Sequence, residues 1–222
     1  LLNNTAITQI QKQDYEGLFE TLEHFKDAFR FDGGKHIDAR TFYYKHRLDY
    51  YLFQEQPLLD SNLLDEVINH LDENNERMIK AHETALRLTI AKICFANHDL
   101  DKTITQLNHL LNQPRNDLQK DVQSVARLLL LIAHYEAGHT RLLPYLYRQT
   151  YKMFVKIGGP NEIEVVALDF FKKVPSLKSE QALLKALQLV KVKLQPLKQD
   201  EAYQHLIEAF DIVDWIDKKL EG

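Results

Sequence analysis

Glycine and proline, the residues that most often interrupt regular structure, are scarce in this sequence. Glycine occurs 7 times and proline 6 times in 222 residues, whereas all-β and α/β proteins need a turn about every ten residues. Hydrophobic residues make up 45% of the chain, which is enough to bury a continuous core and argues against disorder. The scarcity of turn residues therefore favours long helices over strands.

Cysteine is nearly absent as well. The single Cys94 lies in the apolar stretch 90–95, where a thiol behaves as a small hydrophobic residue. One cysteine forms no disulfide within the chain, which favours a reducing compartment, and we expect a cytoplasmic protein. No run of about 18 apolar residues occurs, so no membrane partner is expected. The chain begins at Leu1 rather than Met, which leaves an upstream signal peptide or domain open.

Charge is distributed unevenly along the chain, whose net charge is −4. Residues 1–140 carry 15 Lys and Arg against 21 Asp and Glu, residues 141–198 carry 11 against 4, and residues 199–222 carry 2 against 7. The negative total argues weakly against nucleic-acid binding. Any electrostatic function is expected in the segment 141–198, with its net charge of +7, called the basic block below.

Apolar residues recur at intervals of three and four along almost the whole chain, which is typical of amphipathic helices. Breaks between helices are predicted where glycine, proline or capping residues cluster, at 32–35, 57–60, 97–99, 114–117, 138–139, 158–160, 174–176 and 195–196. About ten helices of roughly 14 to 22 residues result. Because the connections are short, consecutive helices should form antiparallel hairpins.

Two segments of the chain superimpose at an offset of 40 residues. Residues 86–98 and 126–138 share their apolar pattern, and a second amphipathic helix follows each of them. Internal repetition at a period of about 20–50 residues is the signature of a repeat architecture.

The stretch 84–114 resembles a tetratricopeptide repeat. In that family the first helix carries a large and then a small apolar residue, and a glycine turn precedes an aspartate-led second helix. Ile90 and Ala91 match the large and small pair, His98 replaces the turn glycine, and Pro114 closes the unit. In the next repeat, up to residue 157, Gly138 matches the turn glycine, and this repeat is also similar to divergent repeat proteins common in Bacteroidetes.

The resemblance implies an all-α superhelix, or solenoid, of about five antiparallel helix hairpins in a single domain spanning residues 1–222. The best-matching repeat pair covers 84–157. Residues 199–222 are predicted to form one C-terminal capping helix, with Trp215 as its anchor.

No pattern in the sequence predicts catalysis, a metal site or a cofactor. The chain has 10 histidines, but none forms a His-Glu-x-x-His pattern or a Cys/His cluster. His134, in an apolar run, is expected to be a hydrogen-bonded core histidine. The run Asp32-Gly33-Gly34-Lys35 lacks the spacing of a phosphate loop, and no serine lies in a nucleophile elbow. We therefore expect a protein that is not an enzyme and holds neither a metal nor a cofactor.

The candidate partner-binding residues lie mainly on one basic helix. A charged stripe on a helix is more often just a solvated face, but the surrounding basic block favours binding of an acidic peptide or a phosphate backbone. The stripe consists of Arg141, Tyr145, Arg148, Lys152 and Lys156, opposite the core-facing residues Leu143, Leu146, Tyr147, Thr150 and Phe154. Lys92, at an inner position of the first repeat, and Tyr135, in the second, complete the predicted set.

Two functions remain open at this point. The resemblance implies a scaffold or adaptor whose concave face binds a peptide, a helix or another copy of the protein. The alternative is a nucleic-acid-binding domain, or the regulatory sensor domain of a larger protein, that uses the basic block 141–198.

Overall fold

The computed structural model describes residues 2–12, 14–30, 37–52, 61–112 and 118–221, and all regular secondary structure in them is helical. The α-helices are α1 (Leu2–Gln11), α2 (Tyr15–Arg30), α3 (Ile37–Leu52), α4 (Ser61–Asn74), α5 (Lys80–Ala96), α6 (Leu100–Leu111), α7 (Lys120–Glu136), α8 (Leu143–Lys156), α9 (Glu162–Lys173), α10 (Glu180–Leu194), α11 (Gln204–Ala209) and α12 (Ile212–Glu221). Short 3₁₀ turns span Val174–Ser176, Leu197–Gln199 and Glu201–Tyr203. The all-α prediction is confirmed, and the solenoid remains a prediction.

Most helices end where the sequence places turn and capping residues, but the breaks after α1 and after α4 were not predicted. The predicted breaks at 97–99, 138–139, 158–160, 174–176 and 195–196 all separate helices, whereas those at 32–35, 57–60 and 114–117 lie outside the described residues. At the start of α9, Asn161 Oδ1 accepts from Glu164 N at 2.9 Å, and Glu164 Oε2 accepts from Asn161 N at 2.7 Å. This reciprocal capping satisfies two amides that have no partner within the helix.

The prediction of a single capping helix over 199–222 is wrong, because the helix is interrupted at Phe210. This residue is extended, at φ −160° and ψ 111°, between the end of α11 and the start of α12. Asp211 Oδ1 accepts from the backbone amides of Val213 and Asp214 at 2.9 and 3.1 Å. An aspartate that caps the next helix in this way competes with continuation of the preceding helix.

Contacts divide the chain into two compact units, unit 1 over residues 1–106 and unit 2 over residues 107–222. The single domain predicted over 1–222 stays a prediction, since the repeats of one solenoid also contact chiefly their neighbours. In unit 1 the apolar faces of the helices meet in a core. Its fully buried members include Leu18, Leu22, Leu48, Leu71 and Ile90.

A buried ionic network joins three helices of unit 1. Arg87 of α5 is 3% exposed and Glu83, one turn earlier, is 2% exposed. Arg87 Nε donates to Glu83 Oε1 at 3.0 Å, Nη1 to Gln106 Oε1 of α6 at 3.0 Å, and Nη2 to Asp72 Oδ1 of α4 at 3.1 Å. Lys80 Nζ donates to the second oxygen of Glu83 at 2.8 Å. Both buried charges are thus paired, as the loss of their hydration requires.

In unit 2 the last helix is anchored to α7 by Trp215, as the sequence predicted. Trp215 Nε1 donates to Glu136 Oε1 at 2.8 Å, and Lys219 Nζ donates to Glu136 Oε2 at 2.8 Å. The indole also lies against the rings of Tyr135 and Phe171, with centroids 5.8 and 6.3 Å away. The α12 helix therefore covers apolar surface of α7 and α9, while the N–H group of its indole has a hydrogen-bond acceptor.

Helices α5 and α7, which are 40 residues apart in the sequence, have the same length and end in the same kind of turn. Both α5 and α7 have 17 residues, and they begin at Lys80 and Lys120. After α5 the amide of Asp99 donates to the carbonyl of Cys94 at 2.9 Å, and after α7 the amide of His139 donates to His134 at 2.9 Å. His98 has φ 59° and Gly138 has φ 72°. His98 therefore adopts the left-handed conformation of the glycine that it replaces.

Candidate functional site

The basic stripe predicted from the sequence lies on the exposed face of α8, in unit 2. Leu143 and Phe154 are fully buried and Thr150 nearly so, whereas Arg148, Lys152 and Lys156 are exposed. The two faces of α8 therefore have the polarity that the sequence predicted.

Arg141 lies outside α8, two residues before its first turn. By the 40-residue offset α8 would begin at residue 140, but it begins at Leu143. Pro144 explains the difference, because a proline is tolerated in the first turn of a helix and lacks the amide that a later position needs. Arg141 is exposed in the preceding turn.

Exposed aromatic and aliphatic side chains lie beside these cations. Tyr145 is 55% exposed, Tyr151 46% and Val155 54%. The ring of Tyr151 stacks on Tyr147 with centroids 6.1 Å apart, and Lys172 Nζ of α9 lies 6.0 Å from the Tyr147 centroid. We call the exposed residues 141–156 of this helix and its preceding turn the α8 surface. Its tyrosine and arginine side chains belong to the residue types that dominate the binding energy of protein interfaces.

The positive charge of the α8 surface is not compensated within the described part of the chain. No Asp or Glu occurs between residues 137 and 161. Arg141, Arg148, Lys152 and Lys156 form no ion pair among the residues that the structure describes. Four cations without an acidic partner on one short segment create a local positive field that attracts an anionic ligand.

Two lysines of the basic block outside α8 are neutralised, which the sequence did not predict. Lys191 Nζ of α10 lies 2.7 Å from Asp217 of α12. Lys198 pairs with Asp211. The acidic segment 199–222 thus compensates one lysine of α10 and one after it.

Lys92 and Tyr135 belong to different units of the chain. Lys92 belongs to unit 1, where burial and Lys45 lower its pKa while Asp49 of α3 counteracts them. Tyr135 is half-buried in unit 2, where its ring lies edge-on to Phe170 with centroids 6.1 Å apart. Burial, and then Glu136, raise the pKa of Tyr135. Packing with α9 and α12 accounts for its position in the structure.

Two histidines meet where α7 ends. The Nδ1 atoms of His134 and His139 lie 3.0 Å apart, and His134 is buried. The prediction of a hydrogen-bonded core histidine at 134 is therefore confirmed. Burial, and then His139, lower the pKa of His134. No group of three or more His, Cys, Asp or Glu suited to a metal ion occurs among the described residues.

A shallow depression of about 410 Å³ lies between the start of α9 and the end of α10. Val165 and Val192 line it and are both exposed, and its two charged residues, Glu162 and Lys193, have opposite signs. The sequence did not predict this depression, because these valines fit the apolar pattern of their own helices. Its lining has no net charge, unlike the α8 surface.

No protein-family model matches this chain, and neither a curated protein nor a solved structure shows a significant match to it. None of the helices in the described ranges combines the length and the apolar character that crossing a bilayer requires. The α8 surface is therefore the main structural evidence on function.

Proposed function

We propose that the protein is a non-catalytic interaction module, built of tetratricopeptide-like helix pairs, that binds an acidic segment of a partner protein along the α8 surface. One observation carries this proposal, namely four unpaired cations beside the exposed side chains of Tyr145, Tyr151 and Val155. The shared helix ends of α5 and α7 support the repeat assignment. As a scaffold or adaptor, such a module needs complementary surface and no reactive group.

The spacing of the cations suits a peptide ligand. Arg148, Lys152 and Lys156 follow one another at intervals of four residues, which is about 6 Å along a helix. Carboxylates at every second residue of an extended segment are about 6.6 Å apart, and those at i and i+4 of a helix about 6 Å. Either form of an acidic segment therefore brings successive carboxylates to successive cations.

The apolar members of the α8 surface favour a protein partner over a nucleic acid. Phosphate-backbone binding requires cations, whereas protein interfaces combine apolar anchors with a polar rim. Tyr151 and Val155 provide such anchors beside Arg148 and Lys152. A long polyanion would in addition meet the net charge of −4 that the whole chain carries.

A binding assay with a charge-reversed variant tests the proposal. The probe is a fluorescein-labelled peptide of about 14 residues with Glu at every second position and Leu or Tyr between them, a spacing set by extended backbone. The variant Arg148→Glu/Lys152→Glu should weaken binding at least about tenfold, which corresponds to about 1.4 kcal/mol. A peptide with Gln in place of Glu should not bind.

A second double variant controls for the change in net charge. Lys178→Glu/Lys185→Glu makes the same charge change at two exposed positions outside the α8 surface and should leave the affinity within about twofold. Equal losses in the two double variants would refute a specific role for α8. Tighter binding of a single-stranded oligonucleotide of equal charge, falling steeply with salt, would instead support the nucleic-acid alternative.

A further inference from the structure

The second repeat keeps the cations of the first repeat's ionic network but has lost its buried carboxylate. In the first repeat, Glu83 is held between Lys80 and Arg87 at distances of 2.8 and 3.0 Å. At an offset of 40 residues, Lys120 and Arg127 occupy the positions of the two cations. Between them the equivalent of Glu83 is Gln123, which is equally buried, at 3% exposure.

Arg127 has no anionic partner in the described residues. Its Nε atom is buried and makes no hydrogen bond, and burial lowers its pKa. The amide of Gln123 does not replace the missing carboxylate, because its Nε2 donates to the carbonyl of Leu118 at 3.1 Å and its buried Oε1 has no partner. A guanidinium that has lost part of its hydration without gaining an anion is unfavourable, and an external anion would compensate it.

Lys120 lies near the end of the α8 surface, and Arg127 is only partly buried. Unlike its Nε atom, the two terminal nitrogens of Arg127 are not fully buried. The Nζ atom of Lys120 lies 3.9 Å from the point that a Cβ atom on Gly158 would occupy. Gly158 follows Lys156, the last cation of the α8 surface, by two residues.

We propose that Lys120 and Arg127 bind a carboxylate of the acidic partner, which would supply the negative charge that Glu83 supplies in the first repeat. The identity of the ligand rests on the proposed function. The missing hydrogen bond of Arg127 Nε is observed independently of that function. Guanidinium groups bind carboxylates through two parallel hydrogen bonds, which fixes the orientation of the ligand as well as its charge. The site would thus anchor one end of the segment that lies along α8.

The substitution Gln123→Glu tests this inference by supplying the missing carboxylate within the chain. It should raise the melting temperature by a few degrees, because Lys120 and Arg127 then hold it as Lys80 and Arg87 hold Glu83. The same variant should bind the Glu-rich peptide about fivefold to tenfold more weakly, since its own carboxylate occupies the site. Arg127→Met should weaken peptide binding to the same degree. A fall in melting temperature for Gln123→Glu, or unchanged affinity in both variants, would overturn the inference.

A second measurement separates this inference from the proposed function. The wild-type protein should melt at a higher temperature in sodium acetate than in sodium chloride of equal ionic strength, and Gln123→Glu should lose that difference. If acetate acts in this way but the peptide does not bind, the carboxylate site stands and the proposed function fails. If the peptide binds but acetate stabilises both proteins equally, α8 binds without Arg127 and the inference fails.

Discussion

Replacing Arg87 by methionine is expected to destabilise the protein strongly, because this guanidinium is shared by three side chains of unit 1. Methionine fills a similar volume but leaves the buried carboxylate of Glu83 without its closest guanidinium. Removing one member of a buried ion pair costs about 3–5 kcal/mol. The contact with Asp72 adds little, since that side chain is 58% exposed. Lys80 still compensates Glu83 in part, so we expect about 3 kcal/mol at neutral pH.

The stability lost in the Arg87→Met variant should depend on pH in a defined direction. Burial alone would raise the pKa of Glu83, but hydrogen bonds from Lys80 and Arg87 outweigh it and hold the pKa below its ordinary value of 4.5. A carboxyl group with a lowered folded pKa adds stability above its unfolded pKa, and this stability is lost as the pH falls through the folded pKa. In the variant burial prevails and the pKa rises. The difference in the free energy of unfolding between wild type and variant should therefore be largest at neutral pH. It should narrow as the pH falls to 4.5 and below.

Urea unfolding followed by far-ultraviolet circular dichroism measures both effects, and the repeat supplies a matched control. Arg127→Met removes the equivalent arginine of the second repeat, which has no buried carboxylate partner, and should cost less than about 1 kcal/mol. Adding Glu83→Gln to Arg87→Met should recover part of the loss, since no buried charge then remains unpaired. Equal costs for the two arginine variants, or a loss that does not narrow in acid, would refute this reasoning.

Three further predictions concern the turn after α5, the last helix and the buried thiol. The substitution His98→Gly should stabilise the protein to urea by about 0.5–1 kcal/mol, because φ there is 59°; a loss would show that the imidazole itself stabilises the turn. Trp215→Phe should lower stability by about 1–2 kcal/mol, since Glu136 loses the indole hydrogen bond, and limited proteolysis should then cut first near Phe210. Burial raises the pKa of Cys94 to about 12, so the thiol should react with disulfide reagents only after denaturation, and fast reaction of the native protein would contradict this burial.

Local signals made most of the fold predictable from the sequence. Turn and capping residues fix where helices end, so the breaks around His98, Gly138 and Pro160 could be placed within a residue or two. The break at Phe210 was missed, because the apolar spacing continues through it and the competing interaction is the short cap made by Asp211. A local polar contact of this kind leaves little trace in a hydrophobic pattern.

The candidate site was predictable only in those features that depend on a single helix. The exposed face of α8 follows from periodicity alone, and the replacement of Glu83 by Gln123 is visible once the repeats are superimposed. Pairing between distant segments is not a property of one helix, which is why the neutralisation of Lys191 by Asp217 could not be foreseen. The packing of Tyr135 against three other rings depends in the same way on tertiary contacts.

The attachment of α12 to unit 2 has a consequence for how the protein behaves in a charged environment. Residues 199–222 contribute −5 to the total of −4, so a chain cut before them would have a net charge of +1. Replacing Asp211 and Asp217 by asparagine would leave Lys198 and Lys191 unpaired and add two cations to this part of the protein. The acidic residues of the last segment thus act as built-in counterions for Lys191 and Lys198 and weaken the positive field there.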